Sequence, residues 1–199
     1  SPTIATVADL KGKRVGINQP RRMAGMMMLA LLRKWGLAIE TDLQLVDLGI
    51  NDRSFEALIE KQIDAALLPP EKAFLAEAVG FHVIADSLSL DCHWVPLATT
   101  RRFLRDNREL VTKICAIYRE SIQLFKSQPK ETIAEISRRL PALANKPQVI
   151  ENCYKLFAEL LEPSLKPSLN SISSILKEVT LQDPRAKDLD PGSIVDHLV

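Results

Sequence analysis

The sequence predicts an α/β fold, in which a lobe with a mainly parallel sheet is followed by a helical C-terminal part. Up to about residue 99, short apolar segments alternate with helical patterns across short connections, which is typical of a parallel sheet covered on both faces. From Arg101 onward the pattern is helical almost throughout. The shift near Thr99 therefore predicts an α/β lobe over residues 1–99 and a helical segment over residues 100–199.

Short runs of β-branched and aliphatic residues, bounded by turn residues, predict the strands. The first run follows the turn Lys11-Gly12-Lys13, and the third stops at Pro69-Pro70. The first four strands are expected to lie in one mainly parallel sheet. In chain order the predicted strands are Arg14–Asn18, Leu43–Asp47, Ala65–Leu68, His82–Asp86 and Val95–Thr99.

Amphipathic spacing and end signals predict the helices between and beyond these strands. The first helix ends at Gly36, a good C-cap residue, and Ser54 is the expected N-cap of the second. The long helix that opens the second half has Leu110, Ile114, Ile117 and Leu124 spaced for one face. The predicted helices are Met23–Trp35, Ser54–Lys61, Glu71–Val79, Asp106–Lys126, Lys130–Leu140, Pro147–Leu161 and Leu169–Val179, with a last turn or two at Ser193–Leu198.

Composition and motif content argue against several classes of function. The net charge is +1, which offers no electrostatic footprint for a nucleic acid. The three cysteines, Cys92, Cys115 and Cys153, fit neither a disulfide framework nor a zinc pattern. No catalytic, phosphate-binding or dinucleotide fingerprint occurs. The sequence therefore predicts a protein that is not an enzyme and that has no cofactor, metal or nucleic-acid partner.

Four segments of the chain stand in a distinctive order and spacing: Asp9–Ile17, Ile63–Pro70, Phe74–Glu77 followed by Gly80–Asp86, and Thr99–Asn107. Together they resemble nitrate/sulfonate/taurine-type solute-binding proteins of ABC importers, a family related to thiamine-pyrimidine precursor synthases. The chain departs from the family at Gln62, where the family often has Gly, and in lacking a Ser before Pro69-Pro70. The family also carries a further half-lobe upstream of Asp9, so the resemblance implies an N-terminally truncated chain.

This resemblance implies a periplasmic-binding-protein type II-like fold that captures a small polar or anionic solute, such as a sulfonate, nitrate or taurine, in an interlobe cleft. It implies the membrane permease of an ABC importer as partner. It also implies a periplasmic or extracellular location, where a membrane anchor could hold the full-length protein. In a truncated chain, apolar helix faces beyond Lys130 would face water. Two copies of the chain are therefore expected to pair as a homodimer.

The candidate ligand-binding residues lie where the predicted strands end, because ligands of parallel sheets sit beyond the strand C-termini. The loop after the first strand contains Gln19, Arg21, Arg22 and Met23. It leads into a helix N-terminus, where free N–H groups and a guanidinium would attract a sulfonate, carboxylate or phosphate. The alternative interpretation is that these arginines are simply exposed at the start of a helix.

Three further groups of candidates rest partly on the resemblance. After the second strand, the family register would point Arg53 toward the cleft, although a plain turn explains this segment as well. The double proline after the third strand stands where the family contacts ligand, and it is equally typical of a helix start. Trp94 would form a pocket wall or pack in the core. These candidates are Asn51, Arg53, Pro69, Pro70, Glu71 and Trp94.

Two alternatives of other functional classes remain open on the sequence. One is an enzyme related to thiamine pyrimidine precursor synthesis, although the cysteine-rich metal motif of such enzymes is not found. Cys92 and His93 do not replace it, because adjacent residues of an extended segment point to opposite faces. The other is the effector-sensing domain of a transcription regulator, which would carry a helix-turn-helix upstream.

Overall fold

The three strands of a small parallel sheet organise the first half of the chain. The structure is a computed structural model that describes residues 4–49, 53–88, 90 and 96–196. Strand β1 (Arg14–Ile17) lies in the centre, between β2 (Gln44–Asp47) and β3 (Ala65–Ala66). Both pairings are parallel, and Val15 is the register partner of Leu45 on one side and of Ala65 on the other. The prediction of an α/β fold with a parallel sheet is thereby confirmed.

Eight α-helices accompany these strands over the described residues, together with short 3-10 turns such as Val7–Leu10 and Pro141–Leu143. Three of the helices alternate with the strands, and five follow them. The helices are α1 (Met23–Lys34), α2 (Arg53–Ile59), α3 (Pro70–Glu77), α4 (Arg101–Asp106), α5 (Arg108–Ser127), α6 (Pro129–Arg139), α7 (Pro147–Leu160) and α8 (Leu169–Thr180).

Each face of the sheet has its own apolar cluster, because successive strand side chains point to opposite faces. On one face Val15 packs with Met28 and Leu32 of α1 and with Leu45 and Ala65 of the outer strands. The opposite cluster is built on α2 and α3. Its members from the helices are Ala57, Leu58 and Ala76, and those from the strands are Val46 and Ala66. Helix α1 therefore covers one face of the sheet, and α2 and α3 cover the other.

An ion pair joins the starts of β1 and β3. Arg14 donates to both carboxylate oxygens of Asp64, with Nη2–Oδ1 2.9 Å and Nε–Oδ2 3.1 Å, and its backbone N–H also donates to Oδ2 at 2.9 Å. The Arg14 side chain also donates to the carbonyl of Lys61. The hydrogen bond from Arg14 holds the pKa of Asp64 below its ordinary value. A bidentate pair of this kind fixes geometry as well as charge, so it sets the register between β1 and β3.

We expect Asp64→Asn to lower the free energy of unfolding by about 1 kcal/mol at neutral pH, a value reduced by the partial exposure of the pair. Because the folded-state pKa of Asp64 is depressed, its contribution is full above the unfolded value of about 3.9 and is lost as pH falls through the folded value. Urea titrations from pH 7 to pH 2.5 check this. The difference between the two proteins should stay constant down to about pH 5 and then shrink. The control Glu60→Gln, at an exposed site, should change little, and a difference that grows toward acid pH would contradict the assignment.

Two predicted strands are wrong over the described residues. Residues 82–86 form no strand. His82 and Val83 are exposed, and only Ile84 packs against the cluster that includes Val15 and Met28, so buried and exposed side chains do not alternate. Of the predicted strand Val95–Thr99, residues 96–99 are exposed and irregular, consistent with the missing N–H of Pro96, and Val95 lies outside the described residues. The predicted strand Ala65–Leu68 is shortened to the two residues of β3.

The helix predictions hold better, with three corrections. The long helix begins at Arg108 rather than Asp106, because Asn107, with φ −135° and ψ 36°, separates it from α4. Ser54 is not an N-cap, since α2 already begins at Arg53. The last predicted element is a 3-10 turn at Pro191–Ile194, and residues 197–199 lie outside the described part.

The chain resolves into two compact units. The first comprises residues 1–92 and 173–189, and the second comprises residues 93–172 and 190–199. The division into domains of residues 1–99 and 100–199 stays a prediction. Over the part of the chain that the structure describes, no helix combines the length and apolar character that crossing a bilayer requires.

The second unit has buried side chains on α5 and α7 and direct contacts between these two helices. Cys115 and Ile122 of α5 are buried, as are Ile150 and Cys153 of α7. The rings of Phe125 and Tyr154 stack with centroids 5.3 Å apart. The Tyr154 hydroxyl donates to the carbonyl of Lys126, and the Lys126 ammonium donates to the carbonyl of Leu161. Only part of α5 is used in this packing, which leaves its other face uncovered.

Candidate functional site

The carboxyl ends of the three strands meet at one edge of the sheet in the first unit. After β1 the chain leads to α1 on one face, whereas after β2 and β3 it leads to α2 and α3 on the other. The connection from the central strand thus departs in the opposite direction from those of its two neighbours. This is the arrangement that opens a crevice beyond the strand ends of α/β sheets. For the strand order β2-β1-β3, the expected crevice lies between the ends of β1 and β3, where Asn18 directly follows β1.

A buried hydroxyl and an amide meet at the end of β1. Ser54, the second residue of α2, is 3% exposed, and its Oγ donates to Oδ1 of Asn18 at 3.1 Å. This bond uses the acceptor of the Asn18 amide and leaves the two N–H donors of Nδ2. Within the described ranges, Nδ2 has no hydrogen-bond partner. The half-buried amide can therefore offer its donors to an acceptor atom of a ligand.

The loop between β1 and α1 is shaped by its own backbone. Gln19 has φ 33°, in the left-handed region that a residue with a Cβ seldom adopts. Its carbonyl accepts from the N–H of Arg22 at 2.8 Å, which closes a turn. Gln182 Nε2 donates to the carbonyl of Pro20 at 2.9 Å, so the segment after α8 holds the loop from outside.

Gly25, in the first turn of α1, lies directly against this loop. A Cβ placed there would stand 2.4 Å from the carbonyl oxygen of Gln19 and 2.5 Å from that of Asn18. Contacts this short with backbone atoms cannot be relieved by moving a flexible side chain. Gly25 is therefore what allows α1 to begin so close to the end of β1.

The predicted loop residues lie between β1 and α1, at the carboxyl end of the sheet. Gln19 is half-buried, whereas the side chains of Arg21, Arg22 and Met23 are exposed. Neither guanidinium makes an ion pair with a residue in the described part of the chain. The backbone N–H of Arg22 is already bonded to Gln19, so the N–H groups left at this helix start begin at Met23. The anion site predicted at Arg21–Met23 stays a prediction.

The other predicted residues lie at the starts of α2 and α3 or outside the described residues. Arg53 opens α2 with an exposed side chain. Pro69 precedes α3, Pro70 begins it, and Glu71 is half-buried in its first turn. These residues follow β2 and β3 at the same sheet edge, and their contact with a ligand stays a prediction. Asn51 and Trp94 lie outside the described residues.

Sequence reasoning missed the two residues that the structure brings together here. The sequence predicts Asn18 only as a strand end and Ser54 only as a helix cap. The available signal was a polar amide placed directly after an apolar strand, with a small hydroxyl residue 36 positions later at the start of the next crossover helix. Among the residues described, no three His, Cys, Asp or Glu side chains form a group that could hold a metal ion.

Comparison with known proteins bears on the first two thirds of the chain. A family model described as NMT1/THI5 like matches residues 1–132. The matched region includes the sheet, the crevice at Asn18, and helices α4 and α5. No curated protein matches the chain.

Proposed function

We propose that this chain, which belongs to the NMT1/THI5-like family, is the solute-binding component of an ABC-type importer and captures a small polar or anionic molecule. The family match supports a solute-binding role in general terms. The proposal goes further in naming a permease in the membrane as partner and a location outside the cytoplasm. It also holds that the chain binds its solute without transforming it.

The observation that carries this proposal is the pair formed by Asn18 and Ser54 at the crevice. A buried hydroxyl holds the amide in place by donating to its Oδ1, and both N–H donors of Nδ2 remain for another acceptor. Polar groups placed in this way give a concave site its specificity. The Asn18 amide would therefore bind an oxygen of the solute.

The surroundings of the amide support a negatively charged or strongly hydrogen-bond-accepting solute. The start of α1 presents backbone N–H groups and the positive end of a helix dipole on the same loop. Arg21 and Arg22 add two exposed guanidinium groups without carboxylate partners among the described residues. A carboxylate, sulfonate or nitrate would satisfy donors of this kind.

A thermal-shift screen of the chain tests the proposal, with taurine, methanesulfonate, nitrate, benzoate and a pyrimidine as probes. A ligand at 100 times its Kd stabilises the folded state by about 2.7 kcal/mol. For a chain of this size that corresponds to a rise in melting temperature of roughly 5–10 °C. Sodium chloride at matched ionic strength is the control and should give no such shift. If no probe raises the melting temperature, or if a probe is chemically converted, the proposal is wrong.

A further inference from the structure

Helix α5 carries an apolar stripe that the fold leaves uncovered. Leu110, Ile114, Ile117 and Leu124 are 48%, 37%, 60% and 46% exposed. Their spacing of four, three and seven residues places them on one face of the helix. The neighbouring face, with Cys115, Ile122 and the Phe125 ring that stacks on Tyr154, is the one that packs in the second unit. The stripe is therefore additional to the core that α5 already serves.

The length and area of the stripe match an association surface. It extends over 15 residues, from Leu110 to Leu124, or about 21 Å of helix. Four aliphatic side chains that are about half exposed present on the order of 300 Å² of apolar surface, which is the size at which patches on monomers are often functional. Two such stripes and their flanking side chains together approach the roughly 1,000 Å² that a specific interface needs.

Charges along one border of the stripe indicate what covers it. Lys113 and Glu120 flank the apolar residues on the same side of the helix, one on each side of Ile117 along the axis. If two copies of α5 pair antiparallel about a twofold axis at Ile117, Lys113 of each copy faces Glu120 of the other. Leu110 of each copy likewise meets Leu124 of the other. A parallel arrangement would not bring the opposite charges together.

The present partners of these charges allow such an exchange. Lys113 Nζ lies 2.6 Å from Glu109 Oε1, but the two side chains are 68% and 83% exposed, so solvent screens the pair strongly. Glu120 makes no ion pair with any residue in the described ranges. Dimer formation would thus replace the exposed pair of Lys113 with Glu109 on each helix. The new pair would join Lys113 to Glu120 of the other copy, beside apolar side chains from which water is excluded.

We propose that the exposed stripe of α5 is the interface of a twofold homodimer, in which α5 packs antiparallel against α5 of a second copy. The antiparallel pairing of aliphatic side chains repeating at seven residues is the packing of a short coiled coil. The interface is isologous, since the same patch serves both copies, and it closes without leaving a surface for further growth.

Sedimentation equilibrium of the 199-residue chain between 1 and 200 μM tests this proposal. We expect a monomer–dimer equilibrium with no larger species. Ile117→Lys places a charge at the centre of the stripe and should raise the dimer dissociation constant at least 100-fold, while circular dichroism remains that of the unchanged chain. The matched control is Phe157→Lys, which alters another exposed apolar side chain, on α7, and should leave the dimer intact.

Exchanging the two charges distinguishes the antiparallel pairing from non-specific hydrophobic association. Lys113→Glu and Glu120→Lys should each weaken the dimer roughly tenfold, because each places like charges opposite one another. The double variant, which restores opposite charges in exchanged positions, should recover most of the affinity. A monomer at all concentrations would overturn the proposal. Loss of the dimer in Phe157→Lys instead, or a double variant no better than the singles, would do the same.

Discussion

Gly25→Ala is expected to destabilise the first unit by about 2–3 kcal/mol, in the upper part of the roughly 1–3 kcal/mol range for overpacking a filled space. Helix propensity alone predicts the opposite, because Ala is favoured over Gly in a helix by about 1 kcal/mol. The steric term dominates here, since the added Cβ would meet two backbone carbonyl oxygens, those of Gln19 and Asn18, at 2.4 and 2.5 Å. Either α1 or the end of β1 must move. Urea unfolding, followed by circular dichroism, measures the loss.

The comparison that isolates this effect is Gly36→Ala at the other end of α1. Gly36 has φ 74° and no atom within 4 Å of an added Cβ, so the substitution acts only through backbone conformation. It should cost about 1 kcal/mol, the usual penalty for a left-handed residue. If Gly25→Ala instead stabilises the protein, α1 does not approach the loop as closely as the structure has it.

The sheet and the first helix could be predicted from the sequence because their signals are local. The run after Gly12 is bounded by turn residues and apolar on both faces, and α1 ends at Lys34, just before the Gly36 that its sequence offers as an end signal. The segment 82–86 has the same composition as a strand, yet it forms none, because only one of its side chains finds a place in a core. Strand formation there depends on a pairing partner, which no local pattern reveals.

The place of the candidate site was predictable, but its chemistry was not. Parallel strands put their carboxyl ends at one edge, so the loops after β1, β2 and β3 could be selected in advance. The hydrogen bond between Ser54 and Asn18, in contrast, depends on how α2 packs against the sheet beside β1. The bond from Gln182 to the Pro20 carbonyl spans 162 residues, and nothing near either residue in the sequence predicts it.

Asn18→Asp is expected to lower the affinity for an anionic probe about 100-fold, or roughly 2.7 kcal/mol, while the fold is kept. The probe is whichever compound of the thermal-shift panel stabilises the unchanged chain most. The aspartate still accepts the hydrogen bond from Ser54, so the buried hydroxyl keeps its partner. It removes both Nδ2 donors and adds a negative charge where the proposed solute would place its own. Isothermal titration calorimetry measures the change in Kd.

Gln44→Glu is the matched control, because it makes the same amide-to-acid change at the other edge of the sheet. Gln44 is exposed at the amino end of β2, so the net charge of the protein changes equally while the crevice is untouched. Its Kd should stay within about twofold of the unchanged value, since exposed charges at a distance are screened by salt. Equal losses of affinity in both variants would mean that anion binding depends only on the net charge of the protein. An unchanged affinity in Asn18→Asp would place the solute away from the end of β1.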